Sequence, residues 1–191
     1  MNKLILFIAS FAILIQASSK DVVGIYRSYE DYLYNNLDTM DLYLGYSHPK
    51  NAVTLQFVKF SEEYKVRCKE IWGFRLGARL FRVDVKTGQP ACVISTGNIV
   101  YYENGPSYME GFKSKKASIE FTFGYFSYFS KDLESEMTPY DQKSPEAGDR
   151  YSAFKKENPR YEFLFKCIGK SEDYVKIRNC VRNYNAEKDE E

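Results

Sequence analysis

Between about residue 52 and residue 129 the chain repeats one pattern, a short run of β-branched and aromatic residues followed by a turn. The stretch from Ser118 to Tyr128 shows it best, because Ile119, Phe121, Phe123 and Tyr125 alternate with Ser118, Glu120, Thr122 and Gly124. Alternation with period two makes a strand with one buried and one wet face. Val53-Thr54-Leu55-Gln56-Phe57-Val58 is rich in strand formers. Ile71-Trp72-Gly73-Phe74 and Leu80-Phe81-Arg82-Val83 flank Leu76-Gly77 and predict a hairpin. Cys92-Val93-Ile94 and Ile99-Val100-Tyr101-Tyr102 flank Thr96-Gly97 and predict a second, after which Asn104-Gly105-Pro106 breaks the chain. Strands following one another at turn intervals favour an antiparallel meander over βαβ units. Trp72, between Ile71 and Phe74, is expected in the core.

Helices flank this region. Ser28-Tyr29-Glu30-Asp31 is a capping-box-like start, with Asp where Glu is usual, and Asn35-Asn36 can end a helix of two turns. Residues 138–150 carry Pro139, Pro145 and Gly148 among charges and read as a long polar loop. Asn158-Pro159 reads as an N-cap with Pro at the first helical position, and Gly169 ends that helix. Ser171 is expected to cap a second helix, with Glu172 and Asp173 in its first turn. Tyr174, Ile177, Val181 and Tyr184 form an apolar stripe on it, with Cys180 alongside, expected to pack on the sheet. The fold class expected is α+β: a mostly antiparallel β meander or sheet with a short N-terminal helix and a C-terminal helical hairpin.

The start of the chain has another character. Lys3 is followed by the apolar run Leu4–Ile15, and Ala17-Ser18-Ser19 places small residues before a cut after Ser19. A positive n-region, a short h-region and a small-residue cleavage site define a secretory signal. As a helix the run reaches about 18 Å, short of the roughly 30 Å of bilayer hydrocarbon. The organisation expected is a signal peptide over 1–19, a single α+β domain over 20–185 and an acidic tail over 186–191. The location expected is periplasmic, cell-envelope or secreted, with no transmembrane span in the mature chain.

Lys3 is the only charged residue the cut removes, so the chain's 27 basic and 26 acidic groups become balanced. A neutral domain has no electrostatic footprint for nucleic acid or an anionic membrane, and Lys113-Ser114-Lys115-Lys116 reads as a solvated loop. Cys68, Cys92, Cys167 and Cys180 allow three disulfide connectivities or buried free thiols. Cys167–Cys180 is the local pair, but the helix reading opposes it. With Cys180 about nine residues into its helix, the two would stand roughly 10 Å apart, beyond the ~7 Å limit.

Three segments carry a resemblance. Gly24-Ile25-Tyr26-Arg27-Ser28-Tyr29-Glu30-Asp31-Tyr32 resembles the opening G-I-Y-x-S-Y-E-D-F of an uncharacterised family of exported proteins from Gram-negative bacteria. Glu70-Ile71-Trp72-Gly73-Phe74 resembles its D-I-W-G-F, and Gly97-Asn98-Ile99-Val100-Tyr101-Tyr102 resembles its G-K-I-x-Y-Y strand. The resemblance covers roughly residues 23–105. It implies export and a shared fold, and it carries over no activity and no catalytic residue. The GIY-YIG nucleases share Gly24-Ile25-Tyr26, but no Tyr-Ile-Gly follows here.

The residues offer little to catalysis. His48 is the one histidine and lies in the turn-like Ser47-His48-Pro49, a poor setting for a general base. With no C-x-x-C and a single histidine, no zinc site is expected. No phosphate loop or dinucleotide fingerprint is present, so no cofactor is expected. Glu62, Glu63, Glu70, Glu103, Glu110 and Glu120 are candidates for a carboxylate pair of the glycosidase kind, Glu120 foremost. The unusual feature is aromatic, with 17 Tyr and 14 Phe. Tyrosine packs its ring and keeps its hydroxyl wet. Tyr101, Tyr102, Tyr108, Tyr125 and Tyr128 are therefore candidates for a platform that binds glycan, peptide or protein. The alternative is that they cover sheet edges and fill the space between sheet and helices. The function expected is a non-catalytic binding or interaction domain of the bacterial envelope. A glycan- or peptide-acting hydrolase and a structural accessory domain are the alternatives.

Overall fold

The computed structural model describes residues 22–47, 53–104, 126–140 and 145–187. Local chemistry sets the first helix as its spacing predicts. Ser28 Oγ accepts the Asp31 N–H at 3.1 Å and Asp31 Oδ2 accepts the Ser28 N–H at 3.0 Å, a reciprocal capping box. Helix α1 spans Tyr29–Leu33, and Asn35 ends the turn with φ 53°. It lies between β1 (Val23–Tyr26) and β2 (Asp38–Met40).

The remaining strands are β3 (Leu42–Ser47), β4 (Thr54–Lys59), β5 (Glu62–Arg67), β6 (Gly73–Leu76), β7 (Arg79–Val83), β8 (Pro90–Ser95), β9 (Val100–Asn104), β10 (Phe126–Ser130) and β11 (Thr138–Tyr140). Eight strands form an antiparallel sheet in the order β11-β10-β9-β8-β7-β6-β1-β2, and β3-β4-β5 form a second. The hairpins around Gly77 and Gly97 stand where the turn signals put them. The fold is α+β with a mostly antiparallel sheet, as the strand spacing requires. The alternating stretch from Ser118 lies outside the described residues up to 125, and its end belongs to β10.

Register divides the large sheet into two faces, because paired residues share a side. Ile25, Phe74, Phe81 and Cys92 face Leu55, Phe57, Val66 and Cys68 of the small sheet and its exit. On the same face, Tyr101 and Phe129 meet the helices α2 (Pro145–Glu157), α3 (Glu162–Ile168) and α4 (Tyr174–Glu187). Leu164, Ile168, Ile177 and Val181 are at most 1 % exposed there, and each such side chain contributes roughly 1.5–3 kcal/mol. The stripe on α4 thus packs as its spacing predicts. The opposite face carries Ala91, Val100, Tyr102, Tyr128 and Met137.

Four expectations are corrected. Residues 138–150 are not one polar loop, because Thr138–Tyr140 adds an edge strand and Pro145 starts a thirteen-residue helix. That helix buries Ala147, Tyr151 and Phe154, which keep the i, i+4, i+7 spacing of a helix face, although Pro145, Gly148 and the charges around them read as loop. Asn158 does not cap. Its amide donates to the Phe154 carbonyl at 2.7 Å, and Pro159–Tyr161 forms a 3-10 turn ahead of α3. Ser171 does not start the last helix, since Asp173 Oδ1 accepts the Val175 N–H at 2.9 Å and the helix begins at Tyr174. The later start brings Cys180 nearer its helix's beginning and leaves Gly169–Asp173 as a non-helical connection. Cys167 and Cys180 are consequently 5.9 Å apart at Cα and disulfide-bonded, while Cys68 and Cys92 are buried free thiols.

Candidate functional site

Of the sequence-predicted tyrosines, the three described, Tyr101, Tyr102 and Tyr128, do not form an exposed surface. Tyr101 and Tyr102 are consecutive on β9 and point to opposite faces, each 0 % exposed. Tyr128 pairs with Tyr102 across β10 and is 3 % exposed. Their hydroxyls are taken internally, Tyr101 by Ser127 at 2.9 Å and Tyr102 by Ser130 at 2.6 Å. Tyr108 and Tyr125 lie outside the described residues, as do His48, Glu110, Glu120 and the 113–116 lysine cluster. Glu62, Glu63 and Glu70 are exposed, whereas Glu103 is fully buried and held by Arg178. Among the described residues no group of three or more His, Cys, Asp or Glu is placed to hold a metal ion.

A concave site lies instead at the corner where α1 meets the small sheet. A cleft of about 500 Å³ is lined by Arg27 from the end of β1, Asp31 and Asn36 from α1 and its exit, Asp38 and Asp41 around β2, and Lys59 and Phe60 from the end of β4. Its charges are cross-braced. Lys59 Nζ donates to Asp38 Oδ1, and Arg27 Nη2 lies 3.5 Å from Asp38 Oδ2. Arg27 Nη2 also donates to the Tyr64 hydroxyl at 2.7 Å. Asp31 accepts from the Asn36 amide at 2.9 Å, and that bond, ahead of the one from Ser28, holds its carboxyl below the ordinary value. Three carboxylates and two cations leave the lining net acidic and suited to ligands rich in donors.

The rim of this cleft is strained. Lys59 pairs with Glu62, so Phe60 and Ser61 are the two central residues of the β4–β5 turn, at φ 53° and 67°. Two-residue hairpins of this geometry favour Asn-Gly, and a left-handed non-glycine residue costs about 1–2 kcal/mol. The Phe60 ring nonetheless stands 84 % exposed. An exposed phenylalanine in a costly conformation beside a charged cleft is an outlier of the kind that clusters at ligand sites. No motif signals it, because its residues come from four separate elements and the turn lacks glycine.

The other side of α1 is aromatic. Trp72 is half-buried rather than in the core: Tyr32 stacks on its ring at 4.9 Å, and Tyr29 and Tyr26 pack around it at 5.6 and 6.1 Å. The Arg82 guanidinium lies 4.4 Å from the ring centroid. The sandwich fastens α1 to the sheet and so positions the back of the cleft. Two further buried charges are fully paired. Arg150 of α2 grips Asp84 through two bonds of 3.1 Å. Arg178 of α4 grips Glu103 in the same manner.

No family model, no curated protein and no solved structure matches this chain. Among the described residues no helix is long and apolar enough to cross a membrane.

Proposed function

We propose that this chain is an exported, non-catalytic binding domain of the bacterial envelope, and that the cleft beside α1 is its ligand site. The observation that carries the reading is the exposed, left-handed Phe60 at the rim of a cleft lined by Arg27, Asp31, Asp38, Asp41 and Lys59. A flat ring beside paired polar groups fits a glycan or a peptide, with the ring taking apolar contact and the charged side chains fixing orientation. Export is supported by the Lys3 and Leu4–Ile15 pattern and by the Cys167–Cys180 bond, which belongs in an oxidising compartment. The short motifs shared with the exported Gram-negative family point the same way.

The test is a glycan and peptide array probed with residues 20–191, wild type beside Phe60→Ala and Asp41→Asn. The expected result is a ligand bound by the wild type and lost in Phe60→Ala, with the circular dichroism unchanged. An array with no ligand, or equal binding by Phe60→Ala, would overturn the reading. N-terminal sequencing of the secreted product should begin at Lys20, and a retained Met1 would remove the export claim.

A further inference from the structure

We propose that Arg82 and Trp72 form an anion site beneath α1, taking a small monoanion such as a halide or a carboxylate. The guanidinium is 3 % exposed, and its Nε and Nη1 are buried with no hydrogen-bond partner. Trp72 Nε1, in the ring against which Arg82 stacks, is buried and unpartnered as well. Three donor nitrogens in one neighbourhood therefore lack an acceptor. Burial pulls the guanidinium below its ordinary value, and the neighbouring Tyr102 hydroxyl, which favours the charged form, brings no charge of its own. The Asp132 carboxylate acts on it only through its field, with no ion pair between them, and its Oδ1 accepts the Glu134 and Ser135 N–H groups at 3.0 and 2.6 Å.

The contrast with the rest of the fold is the argument. Buried Asp84 and Glu103 each receive a two-pronged arginine, while buried Arg82 receives no carboxylate among the described residues. A buried charge without a partner is costly, and buried polar groups are normally satisfied. A compact anion supplies both the missing charge and the missing acceptor. Access is through α1, which has no fully buried residue and is held by the half-buried rings of Tyr29 and Tyr32. Such a short element opens locally at low cost.

The inference is independent of the cleft, and its test uses Trp72, the only tryptophan in the chain. The mature domain is titrated with chloride, bromide and acetate, following Tm and Trp72 fluorescence, beside Arg82→Met. The wild type should show a saturable rise in Tm, about 3–5 °C when the anion reaches ten times its Kd. It should also show saturable quenching by bromide, and Arg82→Met should show neither. A saturable response to acetate alone would assign the site to carboxylates, and one to halides alone to inorganic anions. Equal salt responses in wild type and Arg82→Met, or purely linear bromide quenching, would overturn the proposal. If Arg82→Met does not fold, Trp72→Phe decides by Tm: it should bind the anion at least fivefold more weakly, and unchanged affinity overturns the site. Phe60→Ala should leave the response intact, which separates this test from that of the cleft.

Discussion

Arg178 on α4 holds the buried carboxylate of Glu103 on β9 with two donors, Nε to Oε1 at 2.8 Å and Nη2 to Oε2 at 2.5 Å. The Glu103 side chain is 0 % exposed, and Arg178 spans from it to the surface at 37 %. The pair docks the last helix on the sheet in one register. A second device agrees with it: Asn185, two turns further along, accepts the Ile99 N–H at 3.1 Å and donates to the Ile99 carbonyl at 3.1 Å. Gly97 in the same turn has φ 143°, and a Cβ there would meet Asn185 at 2.9 Å.

Removing Arg178 takes two charge-assisted donors from the buried Glu103 carboxylate. Arg178→Met should therefore destabilise the domain by about 3–5 kcal/mol, and the double variant with Glu103→Gln should recover a large part of the loss. Urea unfolding of the wild type and the two variants measures this. A loss below about 1 kcal/mol in the single variant would show that the pair does not hold α4.

The β4–β5 turn should be improvable at the expense of binding. Replacing Phe60-Ser61 with Asn-Gly suits φ values of 53° and 67° and should stabilise by about 1 kcal/mol. The same change removes the exposed ring, so ligand capture at the cleft should fall. A variant that is more stable and binds as well would show that the strain serves nothing at the site.

The free thiols set a limit at high pH. Burial pushes Cys92 up to about 11 and Cys68 up to about 12, from an ordinary value of 9.0. Above pH 9 the unfolded chain loses these protons while the folded chain keeps them. Stability should thus be complete below pH 9 and fall between pH 9 and 11–12. Chemical denaturation across that range gives the slope, and Cys68→Ala/Cys92→Ala should remove the part of the fall that begins at pH 9, leaving what buried tyrosines such as Tyr46 and Tyr102, also pushed up, add above pH 10. Neither thiol should react with a disulfide reagent at pH 8 unless the domain is unfolded.

Reduction of Cys167–Cys180, which closes a loop of sequence separation 13, should cost about 3 kcal/mol and lower Tm by roughly 6–12 °C. A non-reducing peptide map should recover this pair alone, with Cys68 and Cys92 alkylated only after denaturation. Any bond involving Cys68 or Cys92 would contradict the structure.

Much of the fold was legible because it is written in short-range chemistry. The capping box at Ser28 and Asp31 is complete within four residues, and the hairpins at Gly77 and Gly97 announce themselves through glycine between strand formers. The strands β1, β2, β3 and β5 carried weaker local signals, and Glu62–Arg67 in particular is mostly charged. It becomes a strand by pairing with β4. Tyr101, Tyr102 and Tyr128 misled for a related reason. Composition counts rings, but register alone sends Tyr101 toward the helices and Tyr102 to the other face.

The sequence by itself determined the class of fold, the first helix, the two hairpins and the face by which the last helix packs, since each depends on neighbours a few positions apart. The pairing of Cys167 with Cys180, the bracing of Asp38 by Arg27 and Lys59, and the stacking of Arg82 on Trp72 were decided only by tertiary structure. Each depends on where separate elements come to rest. A helix start displaced by two residues, or a strand face chosen by its partner, settles such contacts, and no local pattern records either.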